Sequence, residues 1–213
     1  VTWILNNLPL LWQRLLEHLT LAAPAIVLSL LLAIPLGWIA YRYRLSRWLL
    51  VTLTGLLYAI PSLPLFVVLP LILGTGIRDS INVVAALTLY GLALMVRSVS
   101  DALAAVPAVV VDAAQAQGFG AWRRFWQVEL PLAIPALTAG LRVVTVSTVS
   151  LVTVSGVLGL PSLGLLFTDG FQRGIPEEIL AGMVLTVVLA LVLDALVALL
   201  GRALTPWRRA VKA

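Results

Sequence analysis

The chain has 213 residues, 62% of them hydrophobic and 11% charged, with a mean hydropathy of +1.09, which excludes a water-soluble globular domain and makes the bilayer the better solvent. Cysteine is absent and His18 is the single histidine, so disulfides, thiolate metal sites, cysteine nucleophiles and a histidine-based metal cluster are excluded together. The net charge of +5 does not point to nucleic acid, because the basic residues lie beside apolar spans and form no stripe with interleaved aromatics.

No short apolar region with a small-residue cleavage site stands alone, so no removable signal peptide is expected. The first eighteen residues carry Trp3 and Trp12 with a polar Asn7, Arg14 and Glu17 set, the composition of an amphipathic helix lying in the outer leaflet interface. A spanning helix needs roughly 20 apolar residues, and five segments qualify: 19–41, 48–73, 80–100, 134–158 and 179–204. Within the fourth, TVSTVSLVTVSGV alternates polar and β-branched residues as a strand would. A lone strand leaves its backbone groups unpaired in lipid, and the other spans are continuous apolar runs, so the segment is assigned as helix and a barrel is excluded.

Lys and Arg set the direction. With the first loop inside, Arg42, Arg44, Arg47, Arg97, Arg123, Arg124, Arg142, Arg202, Arg208, Arg209 and Lys212 lie on or near the inner side, and only Arg14, Arg78 and Arg173 lie outside. This split of eleven to three predicts the N-terminus outside and a cytoplasmic tail at 205–213. It also puts the polar island DAAQAQGFGAWRRFWQVELP, Asp112 to Pro131, in the cytoplasm.

In that island Asp112, Ala113 and Ala114 precede Gly118 by a fixed interval, and Val128, Leu130 and Pro131 close it. The spacing resembles the cytoplasmic "EAA" loop of the membrane subunits of bacterial ABC importers, with Asp112 where Glu is usual and Val128 where Ile is usual. EHLTLAAPAIVLSLLLAIPLG (Glu17 to Gly37) and AIPSLPLFVVLPLILGTG (Ala59 to Gly76) are similar to permeases of the glycine betaine, carnitine and choline class of osmoprotectant importers. Where that family shows a glycine-rich G-x-G-G-L-G, this chain has Gly159, Leu160, Pro161, Ser162, Leu163 and Gly164.

The resemblance implies an all-α integral membrane protein: a MetI-like ABC importer permease core of five transmembrane helices with a cytoplasmic coupling-helix loop over 107–131. It implies cytoplasmic ABC ATPase subunits, an extracytoplasmic solute-binding protein and a second permease copy as partners. ATP and Mg would be held by the ATPase, with no cofactor on this chain, which has no G-x-x-x-x-G-K-[ST] cradle. The coupling residues carried over are Asp112, Ala113, Ala114, Gln115, Ala116, Gln117, Gly118, Phe119, Gly120, Trp122, Leu130 and Pro131.

Physically, Ala113, Ala114 and Ala116 make a helix slim enough for a groove, and Gly118 can take a left-handed turn into a second short helix. Pro131 would begin the next membrane helix. Phe119, Trp122, Phe125 and Trp126 are candidate anchors for a partner surface.

Candidates for the solute pathway follow. Thr138, Arg142, Thr145, Thr148, Ser155, Gly156 and Gly159 share one face of the fourth span at about 100° per residue, either lining a pore or dimer axis or bonding their own carbonyls and admitting close packing. Pro61 and Pro64, with Ser62 between them, bend the second span, and Tyr58, Phe66 and Tyr90 could face a quaternary ammonium. Arg97 and Asp194 are intramembrane charges that need partners. An ion pair is one reading, and an ion site in a secondary transporter or channel is the rival in another class. A permease for amino acids or another small solute is the rival within the class. One His, no Cys and no serine-base or paired-aspartate motif leave little equipment for an intramembrane enzyme.

Overall fold

The structure, a computed structural model, describes residues 2–207. The tail expected at 205–213, with Arg208, Arg209 and Lys212, lies mostly outside the described residues. In chain order the helices are α1 (Thr2–Asn6), α2 (Leu8–Arg42), α3 (Arg44–Ala59), α4 (Ser62–Leu73), α5 (Ser80–Ala104), α6 (Ala108–Ala116), α7 (Ala121–Arg124), α8 (Leu130–Val152), α9 (Gly164–Arg173) and α10 (Pro176–Ala203). A π turn, Phe125–Glu129, joins α7 to α8, and a 3-10 turn, Thr153–Leu158, continues α8. Four of these rods are long and apolar enough to cross a membrane, and the bent pair α3–α4 makes a fifth if it is one span.

The division expected at residue 18 falls inside α2. Interfacial segment and first span are one helix of 35 residues, about 52 Å at 1.5 Å per residue, longer than the roughly 30 Å hydrocarbon core. Leu11 and His18 are buried against the rest of the protein, so tertiary packing contributes to holding the segment in register, while Leu5, Leu8, Trp12 and Leu16 stay exposed.

The second span differs more. Pro61 lacks an N–H and pushes Ile60 out of the helical region (φ −69°, ψ 129°), and the chain turns by 109° between α3 and α4. Ile60 and Pro61 thus break the helix where a bend was expected. Pro64 lies in the first turn of α4, where its missing N–H costs nothing. The Ile60 carbonyl freed by the break accepts the Tyr90 hydroxyl at 2.5 Å.

α5 is the central post, buried along most of its length between α2, α3 and α8. Small residues allow the close approaches: a β-carbon at Gly37 of α2 would overlap the Val99 side chain, and one at Gly201 of α10 would overlap Thr138 of α8. Apolar side chains fill two clusters. One, nearer the chain termini of α2 and α5 assigned outside, contains Phe66, Leu87, Tyr90, Leu160, Leu163 and Leu166. The other holds Met95, Val96, Val99, Leu103 and Phe125.

The fourth span is helical, as its lipid setting requires, but it tightens at its end. Thr153 N–H bonds Ser150 instead of Val149, and the freed Val149 carbonyl lies 3.1 Å from His18 Nε2. Nδ1 of the same ring accepts the Leu163 N–H at 3.3 Å, so one buried imidazole ties α2, the end of α8 and the approach to α9 together. The short helix α9, absent from the sequence reading, packs where Gly164 backs directly onto the Thr153 carbonyl and Gly156.

Candidate functional site

α6 begins after Pro107 and ends in a turn at Gln117–Gly120, in which Gly118 has φ +81°. No L side chain adopts that angle without strain, which explains glycine there. The turn leads into α7, and α6 and α7 form a helical hairpin. Asp112, Ala113, Gln115, Ala116, Gln117, Gly118, Gly120 and Trp122 are exposed, Phe119, Leu130 and Pro131 half-buried, and Ala114 buried. All twelve residues therefore fall on one continuous segment, with Ala114 turned to the protein and its neighbours turned away.

Pro131 stands in the first turn of α8, as expected, but the helix is continuous with what precedes it. α7, the π turn and α8 form one helical rod, Ala121–Leu158. The proline has no N–H and its ring crowds the carbonyl of Gln127 one turn back, and the ladder widens there: Leu130 N–H reaches Phe125 O, five residues away.

That wider turn creates the strongest polar contact in the segment. Arg124 Nε donates to Glu129 Oε1 at 2.6 Å, with the two side chains 12% and 2% exposed. Arg124 also donates to Gln115 of α6 at 3.3 Å. Both partners of the ion pair lie in the rod, so the pair pins Arg124 within it, and the bond to Gln115 joins α6 to that rod. Residues five apart do not share a face of an α-helix, so neither Arg124 nor Glu129 stood out in the sequence.

The aromatic residues divide. Phe125 is buried and packs on Trp38 of α2 with ring centroids 5.5 Å apart, so it anchors the hairpin internally and is not free for a partner. Trp122 and Trp126 are exposed and stand edge to face at 5.7 Å. Arg123 covers the Phe119 ring at 4.3 Å.

Of the pathway candidates, Tyr58 and Tyr90 meet edge to face at 5.9 Å, while Phe66 is fully buried in the core. Tyr58 is exposed beside the α3–α4 break, where Pro61 and Pro64 are exposed and Ser62 half-buried. Thr145, Thr148 and Ser155 are buried, and Thr145 and Ser155 donate to Leu141 O and Val152 O. These two hydroxyls bond carbonyls of their own helix. Arg97 lies 3.6 Å from Asp101, which also accepts from Arg47 at 2.8 Å. Asp194 is held by Arg142 through two bonds of 2.7 Å.

The family model for the binding-protein-dependent transport system inner membrane component matches residues 33–210, the α6–α7 hairpin and the rods on either side included. The chain belongs to this family. It is 32% identical over 212 residues to the osmoprotectant import permease protein OsmW of Salmonella typhimurium, covering 97% of each chain. It is 27% identical to the glycine betaine/carnitine/choline transport system permease protein OpuCB of Bacillus subtilis, over 89% of this chain and 86% of that one. A chain of the inward-facing MetNI methionine ABC transporter superposes with a TM-score of 0.83 at 21% identity, covering 94% of this chain and 98% of that one. The fold is therefore MetI-like, and this inner-membrane component carries the exposed hairpin between two membrane rods.

Proposed function

We propose that the chain is the permease of an ATP-driven importer of osmoprotectant quaternary ammonium compounds of the glycine betaine, choline and carnitine type. The observation that carries the coupling part is the α6–α7 hairpin, exposed on one side and fastened by Arg124–Glu129 and Phe125–Trp38 on the other. Such a part can transmit force because it moves with α8 and leaves a small-residue face free for a separate ATPase. The solute class is supported by the full-length similarity to osmoprotectant permeases.

In this reading two copies, identical or paralogous, pair in the inner membrane with the N-terminus outside and the C-terminus in the cytoplasm. The chain itself catalyses nothing. Each hairpin docks in an ATPase subunit that holds ATP and Mg, and an extracytoplasmic binding protein delivers the solute. ATP binding draws the two hairpins together and the rods open outward; hydrolysis returns them.

The test is reconstitution. The permease co-expressed with its partner ATPase and binding protein should accumulate radiolabelled glycine betaine or choline in proteoliposomes only when ATP is inside. Accumulation of neither, with uptake of another solute such as an amino acid, would move the chain to the rival reading within the class.

A further inference from the structure

Asp194 lies nine residues before the end of α10 at Ala203, about 14 Å at 1.5 Å per residue, inside a helix long and apolar enough to span a membrane. Its partner Arg142 uses only Nε and Nη2 for the two bonds to the carboxylate. A guanidinium has five N–H groups, and among the described residues no other acceptor takes the remaining three. The Arg142 side chain is 47% exposed and Asp194 19%. Guanidinium exposed at this depth is costly in lipid, and intramembrane charges face protein or water-filled cavities.

Ala139, Val143, Val146 and Ser147 line an open groove of about 410 Å³ against the pair, wide enough to admit a small solute from one side. A polar recess of about 150 Å³ with Thr138, Arg202 and Thr205 adjoins it through Ala139 and Arg142. Resting on the osmoprotectant reading above, we infer that Arg142 and Asp194 form a contact site for zwitterionic solutes. The solute carboxylate takes the free edge of Arg142 and its quaternary ammonium approaches Asp194.

The pair is neutral overall, so it offers a bare cation such as choline no net attraction: what Asp194 gains, Arg142 opposes. A zwitterion meets both charges with the right sign. The site therefore favours betaine-like solutes over choline.

The cysteine-free chain allows a direct test with Ser147→Cys, a near-isosteric change beside the pair. In membrane vesicles from cells expressing the full transporter, a water-soluble methanethiosulfonate reagent should label this cysteine. Glycine betaine should slow the labelling, by roughly tenfold at ten times its half-protecting concentration, and choline should need at least about tenfold more to match it. Arg142→Gln added to Ser147→Cys should remove the protection by betaine while leaving the cysteine reactive. An unreactive cysteine, protection by neither solute, or equal protection by both overturns the inference. Uptake in the same vesicles separates the two levels: uptake of betaine with unprotected cysteine sinks the contact site alone, whereas vesicles that accumulate neither solute sink the function on which it rests.

Discussion

Removing one charge of the Arg124–Glu129 pair should loosen the hairpin without disturbing the membrane rods. Glu129 is almost fully buried and bonds Arg124 at 2.6 Å. Breaking such a pair from one side costs about 3–5 kcal/mol, because the surviving charge stays buried without a partner. The cost falls on residues 115–129, where Gln115 is the only other group that holds Arg124 among the described residues. Glu129→Ala should therefore raise amide hydrogen exchange over residues 121–129 by roughly 10²- to 4 × 10³-fold, at 1.4 kcal/mol per factor of ten. Exchange in α5 should not change.

The same variant should express and insert but lose ATP-driven uptake, since force on α6 would no longer reach α8. The double variant Arg124→Met with Glu129→Leu separates charge from packing. Replacing a buried ion pair by apolar side chains is often near neutral, so protection should return to within about tenfold of the parent. Parental exchange in Glu129→Ala would show that the pair does not hold the hairpin. A double variant as labile as the single one would show that the unpaired charge is not the cause.

Further outcomes follow from the same geometry. Gly118→Pro forces φ near −65° where the turn has +81°, and Ala114→Arg puts a long charge on the buried face of α6. Both should insert normally and hydrolyse ATP without uptake, and normal uptake would remove the hairpin from the coupling route. Cysteine at Gln117 should label only from the cytoplasmic side and cysteine at Gln172 only from the outside, both being exposed positions; the reverse pattern inverts the topology. His18→Leu strands the Val149 carbonyl and the Leu163 N–H in a buried setting, at about 1–3 kcal/mol for each. A lower thermal midpoint of the purified complex, with hairpin exchange unchanged, is the measurement that checks it.

How much of this could be read beforehand depended on whether a residue's role was local. Gly118 is legible because a turn between two short helices needs a positive φ, and the exposed side of α6 because Asp112, Gln115 and Gln117 are polar among apolar runs. The rods are legible as apolar lengths. The break at Ile60 and Pro61 was visible only as a bend, since a proline in a membrane helix announces a missing hydrogen bond and not the angle that the neighbours then allow. α9 was missed because ten mixed residues carry no spanning signal and owe their placement to Gly156 and Gly164.

The Arg124–Glu129 pair shows why the hardest part to read is also the part that joins the hairpin to the membrane. In a regular helix residues five apart point to different faces, and the natural inference from the sequence is two solvated charges in a cytoplasmic loop. Pro131 changes that by widening the ladder upstream, which brings Glu129 beneath Arg124 and carries Phe125 onto Trp38. Pro131 in the first turn of α8 thus stands just past a widened stretch of the rod that holds the ion pair. Pro131→Ala supplies the missing N–H and relieves the crowding at the Gln127 carbonyl, and the segment should relax toward regular α-helix, with Glu129 rotated off Arg124. The variant should keep its helix content yet lose hairpin protection nearly as Glu129→Ala does. If it gains protection instead, the π turn is a cost borne by the fold and not the device that closes the pair.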